Sequence, residues 1–113
     1  MRIFLNSKIH KATVTEADLA YVGSITIDKD LMNLVGLELY EKVMVVSNTS
    51  GTRLETYVIE GAPGSGVICM NGAAAHLIKK GEEIIIMAFS VVDKPIIPKQ
   101  ILVDKQNKFI KFL

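Results

Sequence analysis

The sequence contains few of the residues that supply metal sites, disulfides or aromatic clusters. Its 113 residues include no tryptophan, one cysteine, two histidines and three prolines. A single cysteine cannot form an internal disulfide, which is typical of a protein in a reducing compartment, so we expect a cytoplasmic location. Cys69 itself is expected to be a small buried apolar side chain. The histidines and the cysteine are too scattered to form a metal-binding pattern.

Long apolar runs and an excess of one charge are also absent. The longest unbroken apolar run, Ile84–Phe89, is far shorter than the roughly 20 residues of a membrane-spanning helix. The first residues, 1–11, are apolar over too short a stretch for a signal peptide. Thirteen Lys and Arg residues against twelve Asp and Glu residues give a net charge of +1, unlike the basic balance of a nucleic-acid-binding protein. We therefore expect neither a membrane nor a nucleic acid as partner.

Aliphatic residues make up most of what the sequence does contain. Half of the residues are hydrophobic, chiefly Ile, Val, Leu, Ala and Met. A chain of this length is expected to form one domain over residues 1–113. Because a small domain hides a smaller fraction of its surface than a large one, this apolar content indicates association into a symmetric oligomer.

β-Branched residues and frequent turn residues predict a mainly β fold. The predicted strands are Arg2–Ser7, His10–Thr15, Ser24–Ile27, Lys42–Asn48, Arg53–Glu60, Gly66–Met70, Glu82–Ser90 and Gln100–Val103. Two short helical segments are predicted within Leu31–Val35 and Asn71–Leu77. Asp28 or Asp30 can cap the first helix, and Gly36 can end it. Many short strands without a strand–helix alternation indicate a closed or nearly closed β-barrel.

The Gly23–Ser24 bond combines a nucleophile with an accessible peptide carbonyl. The Ser24 hydroxyl can attack the Gly23 carbonyl and convert the amide into an ester, and glycine has no Cβ to obstruct that approach. A Gly-Ser pair is also an ordinary turn dipeptide. Taken alone, the pair is better explained as a turn.

Other polar residues recur within apolar segments. Arg53 and Tyr57 lie on one face of a predicted strand, and a guanidinium can hold a carboxylate through two parallel hydrogen bonds. Lys8 and His10 share a face of another strand. Residues 71–74, with the sequence Asn-Gly-Ala-Ala, can present backbone N–H groups to an anion. Solvent-exposed strand faces and a simple Asn-Gly turn explain the same patterns.

These segments occur together in an order that resembles a known family, the bacterial aspartate 1-decarboxylases. The matching segments are Lys8–Leu19, Tyr21–Asp28, Glu55–Ile59, Gly64–Gly66 and Asn71–His76. The order is preserved from residue 1 to about residue 90, and the similarity fades over residues 91–113. Each segment is a weak signal by itself, whereas the ordered set is specific.

The resemblance implies a double-psi β-barrel assembled as a homotetramer, with active sites between subunits. It also implies a precursor that processes itself. The Ser24 oxygen attacks the Gly23 carbonyl, and the ester eliminates and hydrolyses to leave a covalent pyruvoyl group at position 24. The products are a β chain, residues 1–23, and an α chain, residues 24–113. A maturation helper protein is not identified by the sequence.

The resemblance further implies the reaction and two catalytic roles. L-Aspartate forms an imine with the pyruvoyl group, loses its α-carboxylate as CO2 and is released as β-alanine, a precursor of pantothenate and coenzyme A. Thr56 is expected to donate a hydrogen bond to the oxyanion formed during cleavage and to contact substrate. Tyr57 is expected to protonate the substrate carbon.

The remaining candidates by resemblance surround the substrate. Arg53 is expected to hold the retained side-chain carboxylate, and Lys8 to add positive charge nearby. The pocket is completed by Asn71, Gly72, Ala73 and Ala74. His10 is a further candidate for processing or substrate binding, or is a structural residue. Tyr21 lies beside the bond and can help to set its geometry.

Two other interpretations remain open. The chain can be a non-catalytic double-psi barrel that binds a peptide or a protein, because fold alone does not determine function. A binding module, however, has no need to retain Gly23–Ser24 together with Tyr57 and Arg53. The chain can also be a pyruvoyl decarboxylase of another acidic amino acid. Two cationic residues favour a dicarboxylic substrate without distinguishing aspartate from glutamate.

Overall fold

A computed structural model describes all 113 residues as a mixed β-sheet with two short helices. The strands are β1 (Arg2–Thr13), β2 (Glu16–Asp18), β3 (Ser24–Asp28), β4 (Lys42–Ser47), β5 (Arg53–Gly61), β6 (Ile68–Asn71), β7 (Glu83–Val92), β8 (Lys99–Val103) and β9 (Phe109–Phe112), and the helices are α1 (Lys29–Val35) and α2 (Ala74–Leu77). The prediction of a mainly β fold with two short helices is confirmed. None of the helices has the length and apolar content needed to cross a bilayer.

The strands follow the order β2-β6-β3-β5-β4-β7-β1-β8-β9 across the sheet. Adjacent pairs from β5 through β4 and β7 to β1 are antiparallel, whereas β3 runs parallel to β5 and β8 runs parallel to β1. The strand β5 pairs with β4 up to Tyr57 and with β3 from Val58 onward. The two parts of the sheet therefore meet in the middle of β5.

The first strand is longer than the sequence predicted. Arg2–Ser7 and His10–Thr15 were expected to be separate strands, but β1 runs continuously through both. Its pairing with β7 is interrupted between Ile9 and Ala12, where Lys11 has a φ of 64°. A bulge of this kind bends a strand without ending it. The expected break at Lys8 and Ile9 does not occur, because these residues pair regularly with Met87 and Ile86 of β7.

Two strands were not predicted, whereas α1 was. β2 has only three residues, and all four residues of β9 are exposed, so neither shows a half-buried alternation. At α1, the side chain of Asp28 accepts a hydrogen bond from the N–H of Asp30, and Gly36 ends the helix with a φ of 72°. Asp28 is therefore the N-cap of α1.

Aliphatic side chains from both parts of the sheet form one core. Its largest fully buried members include Ile9, Ile25, Ile27, Met32, Ile68, Met70, Ile84, Ile86 and Ile101. The strand β1 contributes Ile9 and Ala12 and lies between β7 and β8 in the sheet. Residues 1–23 are therefore an integral part of the core, and their removal would open it.

The buried carboxylate of Asp28 connects β3 to the loop before β6. Its Oδ1 accepts hydrogen bonds from the N–H groups of Asp30 and Gly64, each over 2.9 Å. Its Oδ2 accepts one from the N–H of Gly66 over 2.8 Å. Asp28 is 2% exposed, so water cannot easily take the place of its two carboxylate oxygens as hydrogen-bond acceptors.

Replacing Asp28 by alanine is expected to destabilise the protein strongly, because it removes the acceptor of three backbone N–H groups. We expect the free energy of unfolding in urea to fall by about 3 kcal/mol, since hydrogen bonds to charged groups are worth roughly 1.5–3 kcal/mol each and the loop relaxes in part. Asp30→Ala is the matched control, because Asp30 is exposed and its charge near the start of α1 is worth only about 0.5 kcal/mol. Equal losses in the two variants would contradict this role for Asp28.

Candidate active site

Three neighbouring strands bring Ser24, Asn71 and Tyr57 together. The antiparallel register of β3 and β6 pairs Ser24 with Asn71. The parallel register of β3 and β5 pairs Ile25 with Val58, so Ser24 lies beside Tyr57. Ser24 is the first residue of β3, and the Gly23–Ser24 bond therefore lies where the surface loop enters the sheet.

The Ser24 hydroxyl is buried and has two hydrogen-bond partners. Ser24 has no exposed surface. Asn71 Nδ2 donates to Ser24 Oγ over 2.8 Å, and the hydroxyl donates to the carbonyl oxygen of Val22 over 3.3 Å. The hydroxyl therefore turns back toward the chain segment that precedes it.

Both ends of the Asn71 amide are occupied. Its Nδ2 also donates to Thr26 Oγ1 over 2.9 Å, and its Oδ1 accepts a hydrogen bond from the Cys69 thiol over 3.1 Å. Burial raises the pKa of the Cys69 thiol, and neighbouring carboxylates raise it further. The thiol therefore keeps its proton near neutral pH and remains a donor, which favours the amide orientation with its nitrogen toward Ser24.

A cleft of about 390 Å³ opens beside Ser24. Of the residues expected in the site, it is lined by Gly23, Ser24, Thr56, Tyr57, Asn71, Ala73 and Ala74. Leu54, Glu55 and Leu77 also line it and were not predicted. The ring of Tyr57 packs at 52° to the ring of Tyr40, with centroids 6.3 Å apart. The cleft therefore combines the buried Ser24 hydroxyl, the Tyr57 phenol and the Thr56 hydroxyl with small and apolar walls.

Lys8 lies far from this cleft within one chain. The registers pair Lys8 with Met87, Met87 with Met44, and Met44 with Glu55. Glu55 lines the cleft, so three strand spacings, roughly 14 Å along the sheet, separate Lys8 from Glu55. The sheet does not bring the amine of Lys8 to Ser24 in the same subunit.

His10 follows Lys8 on the same face of β1. Its Nδ1 is buried without a hydrogen-bond partner. Burial lowers the pKa of His10, and the charges of Lys8 and Lys11 lower it further, so the imidazole is neutral at neutral pH.

No three side chains of the histidine, cysteine, aspartate or glutamate types are grouped so that they could hold a metal ion.

Arg53 and Tyr21 are both exposed. Arg53 begins β5 and pairs with Val46, on the strand face shared with Tyr57. Four residues of extended strand, roughly 13 Å, separate their Cα atoms, and Arg53 does not line the cleft. Tyr21 is 53% exposed, and its phenol lies outside the cleft-lining set.

The Asn71-Gly72 turn differs from an open row of anion-binding N–H groups. The N–H of Gly72 donates to the carbonyl oxygen of Asp18 over 2.8 Å, so it is not available to an anion in this conformation. Gly72 is buried and has a φ of 64°. Ala73 and Ala74 contribute small side chains to the cleft wall. The sequence did not predict that this turn contacts the loop before Ser24.

Solved structures similar to this chain include two designed double-psi β-barrels. A computationally designed one is 17% identical, with a TM-score of 0.47 over 77% of this chain and 99% of the designed chain. A rationally designed one is 19% identical, with a TM-score of 0.49 over 70% of this chain and 93% of the designed chain.

Sequence comparisons identify a family over nearly the whole chain. The profile of the aspartate decarboxylase family matches residues 1–110. Aspartate 1-decarboxylases of Neisseria meningitidis and Bacillus pumilus are 54% and 52% identical, each over 95% of this chain and 87% of the relative. That of Bacillus cytotoxicus is 52% identical over 99% of this chain and 91% of the relative. On this match and these identities, the chain belongs to the aspartate decarboxylase family.

Proposed function

We propose that this protein is a self-processing, pyruvoyl-dependent aspartate 1-decarboxylase. It cleaves its own chain between Gly23 and Ser24 and then converts L-aspartate into β-alanine and CO2, which supplies pantothenate and coenzyme A synthesis in the cytoplasm. The observation that carries the proposal is the buried Ser24 hydroxyl, oriented by Asn71 toward the preceding chain at the edge of a small cleft. Relatives named aspartate 1-decarboxylase support the choice of substrate.

Self-cleavage begins with attack of Ser24 Oγ on the Gly23 carbonyl carbon. The Oγ–C bond forms, the Gly23–Ser24 C–N bond breaks, and the hydroxyl proton passes to the departing nitrogen, which leaves an ester. Loss of the Ser24 α-proton then expels the Gly23 carboxylate, and hydrolysis of the dehydroalanine releases ammonia and leaves the pyruvoyl group. Thr56, in the cleft wall, is the donor we assign to the oxyanion of the first step.

The surroundings of Gly23 support a chemical reason for glycine at this position. A Cβ built on Gly23 would meet no atom within 4 Å outside its neighbours in the chain, and Gly23 is exposed. Packing therefore does not exclude a larger residue. What a side chain would obstruct is the approach of the adjacent Ser24 oxygen to the carbonyl.

The residues around position 24 fit a small carbonyl group. A pyruvoyl group supplies a ketone that binds the substrate amine and accepts the electrons released with CO2. Ser24 Oγ leaves with the Gly23 carboxylate, so the hydrogen bond that Asn71 Nδ2 donates to it over 2.8 Å serves the cleavage and not the ketone. Tyr57 lines the same cleft and is the acid we assign to the substrate carbon. Ala73 and Ala74 leave space for the substrate.

A homotetramer would supply the positive charge that the cleft of one chain lacks. The lining of the cleft includes no Lys, Arg or His. The only charged residue in that lining, Glu55, forms a 2.5 Å ion pair with Lys42. Aspartate carries two carboxylates, so it requires cationic partners. We assign Lys8 and Arg53 to this role, with Lys8 contributed by a neighbouring subunit. His10, next to Lys8 on β1, would approach the same site.

An apolar groove beside the cleft supports such an assembly. It measures about 460 Å³ and is lined by Ile3, Lys42, Val43, Met44, Glu55, Phe89 and Val91. Phe89 and Val91 are 42% and 57% exposed, so a second subunit that covers the groove would bury apolar surface. Glu55 lines both the groove and the cleft, so the same contact would close the active site. The number four rests on the family resemblance.

Ser24→Ala is expected to leave a single intact chain, because the nucleophile is lost. Intact-mass spectra of the parent protein under denaturing conditions should contain residues 1–23 and residues 24–113, the latter without an N-terminal amine. Ser65→Ala is the matched control, because Gly64–Ser65 is a second Gly-Ser bond with an exposed hydroxyl that donates to Ala62 O. It should cleave normally at Gly23. Cleavage of Ser24→Ala at residue 23 would refute the mechanism, and a parent that stays intact on long incubation would favour the binding-module interpretation.

Tyr57→Phe is expected to cleave normally and to decarboxylate poorly, because only the proton donor is removed. Formation of β-alanine from aspartate should slow by about 10²–10⁴-fold in kcat, with the mass spectrum unchanged. Tyr40→Phe is the control, since its ring packs against Tyr57 but its side chain is largely exposed. Normal turnover in Tyr57→Phe would assign the proton to another group. Parallel assays with glutamate test the substrate choice.

Complementation tests the contribution of Lys8 from a neighbouring subunit. Lys8→Ala and Tyr57→Phe should each have little activity. When the two are expressed together, random assembly leaves about a quarter of the sites with an intact Tyr57 from one subunit and an intact Lys8 from another. Decarboxylase activity should then rise toward that fraction of the parent value. If co-expression restored nothing, both residues would serve the same chain or Lys8 would lie outside the site.

A further inference from the structure

The Asn71-Gly72 turn contacts the chain on both sides of the Gly23–Ser24 bond. On the Ser24 side, the Asn71 amide donates to the hydroxyl. On the other side, the N–H of Gly72 donates to the carbonyl oxygen of Asp18 over 2.8 Å. Asp18 is the last residue of β2, so two consecutive residues contact Ser24 and the start of the loop that leads to Gly23.

The backbone of the loop lies directly against Gly72. A Cβ built on Gly72 would be 2.7 Å from Gly23 Cα, 2.8 Å from Gly23 N and 2.9 Å from Tyr21 O. Ordinary contacts of a Cβ begin near 3.4 Å. All three neighbours are backbone atoms, so no flexible side chain can turn away to make room.

Of the other glycines with positive φ, only Gly66 meets backbone as closely, since a Cβ built there would be 2.5 Å from Gln106 O. Gly36 has a φ of 72°, and a Cβ built there would meet only the Lys99 side chain, at 3.8 Å. Gly51 has a φ of 77° and would meet nothing within 4 Å. Backbone conformation is therefore a sufficient reason for glycine at Gly36 and Gly51. Gly72, like Gly66, combines positive φ with a close approach of a second segment, and at Gly72 that segment includes Gly23.

The segment that a side chain at position 72 would displace is a surface loop. Leu19, Tyr21 and Val22 are 55%, 53% and 72% exposed, while Ser24 and Asn71 are fixed in paired strands. The loop can lift while the sheet stays in place. Such a shift would move the Gly23 carbonyl relative to the Ser24 oxygen.

We propose that Gly72 is a positioning residue for self-cleavage, with a bare backbone that seats residues 21–23 so that the Gly23 carbonyl stays within reach of Ser24 Oγ. The proposal rests on the proposed self-processing and deepens it. Gly72 contributes no atom to the bonds that form and break. Its effect is geometric, and misplacing reacting atoms by about 1 Å can slow a reaction on the order of 100-fold.

The first experiment separates side-chain volume from backbone conformation. Gly72→Ala adds a Cβ and strains the positive φ, whereas Gly72→Asn adds a Cβ but tolerates positive φ. Gly51→Ala and Gly51→Asn carry the same changes where no neighbour is close. Cleavage of each freshly prepared precursor is followed by intact mass, and circular dichroism reports the fold. We expect both Gly72 variants to fold and to cleave about 100-fold more slowly, with both Gly51 variants close to the parent.

Two results of this experiment would overturn the proposal. Parental cleavage by Gly72→Asn would mean that only the backbone conformation is required. Loss of the folded circular dichroism signal in both Gly72 variants, with both Gly51 variants folded, would make Gly72 a folding residue instead.

A second experiment tests the contact between Gly72 and residues 21–23 in a protein that cannot cleave itself. In the Ser24→Ala background, Gly72→Ala should expose the loop, so that chymotrypsin cuts after Tyr21 faster than in Ser24→Ala alone. Cutting after Tyr40, which is 69% exposed, is the internal reference. Equal rates of cutting after Tyr21 in both proteins would refute the claim that Gly72 holds the loop. A parent protein that never cleaves would instead refute the proposed function, and this proteolysis result would still decide whether Gly72 holds the loop.

Discussion

Asn71 lies between two strands, and the candidate active site depends on the direction in which its amide points. The nitrogen faces the hydroxyls of Ser24 and Thr26, and the oxygen faces the Cys69 thiol. A protonated thiol is matched by the amide oxygen as acceptor, which leaves the amide nitrogen to the two hydroxyls. The strand register adds a second constraint, because a slip of one residue between β3 and β6 would turn Asn71 to the opposite face of the sheet.

Local patterns predicted the parts of this protein that depend on neighbouring residues. Turn and β-branched residues indicated the mainly β fold, and the Asp28 and Gly36 caps of α1 followed from helix-end chemistry. The strand β1 is different, because Lys8 and Ile9, which were expected to separate two strands, pair with β7 without interruption. Ser24 was identified from the ordered family motifs and not from the periodicity of apolar residues.

The spatial relations of the site could not be predicted from the sequence. Ser24 and Asn71 are adjacent because β3 pairs with β6, and strand pairing over such a separation leaves no local pattern. Lys8 is remote from Tyr57 in one chain because β7 and β4 lie between β1 and β5. In the proposed assembly, one subunit contact would bring a cationic side chain to the cleft and would also bury part of the exposed apolar surface.

The position of β1 inside the sheet has a consequence for the processed protein. Cleavage after residue 23 would leave β1 on a separate polypeptide that is held by β7, β8 and the core. Unfolding would then release two molecules, so mass action would make the apparent stability depend on protein concentration. Refolding would require a bimolecular encounter that the precursor avoids. The mature protein would therefore be assembled once, as a single chain, and its lifetime would be set by how slowly it unfolds.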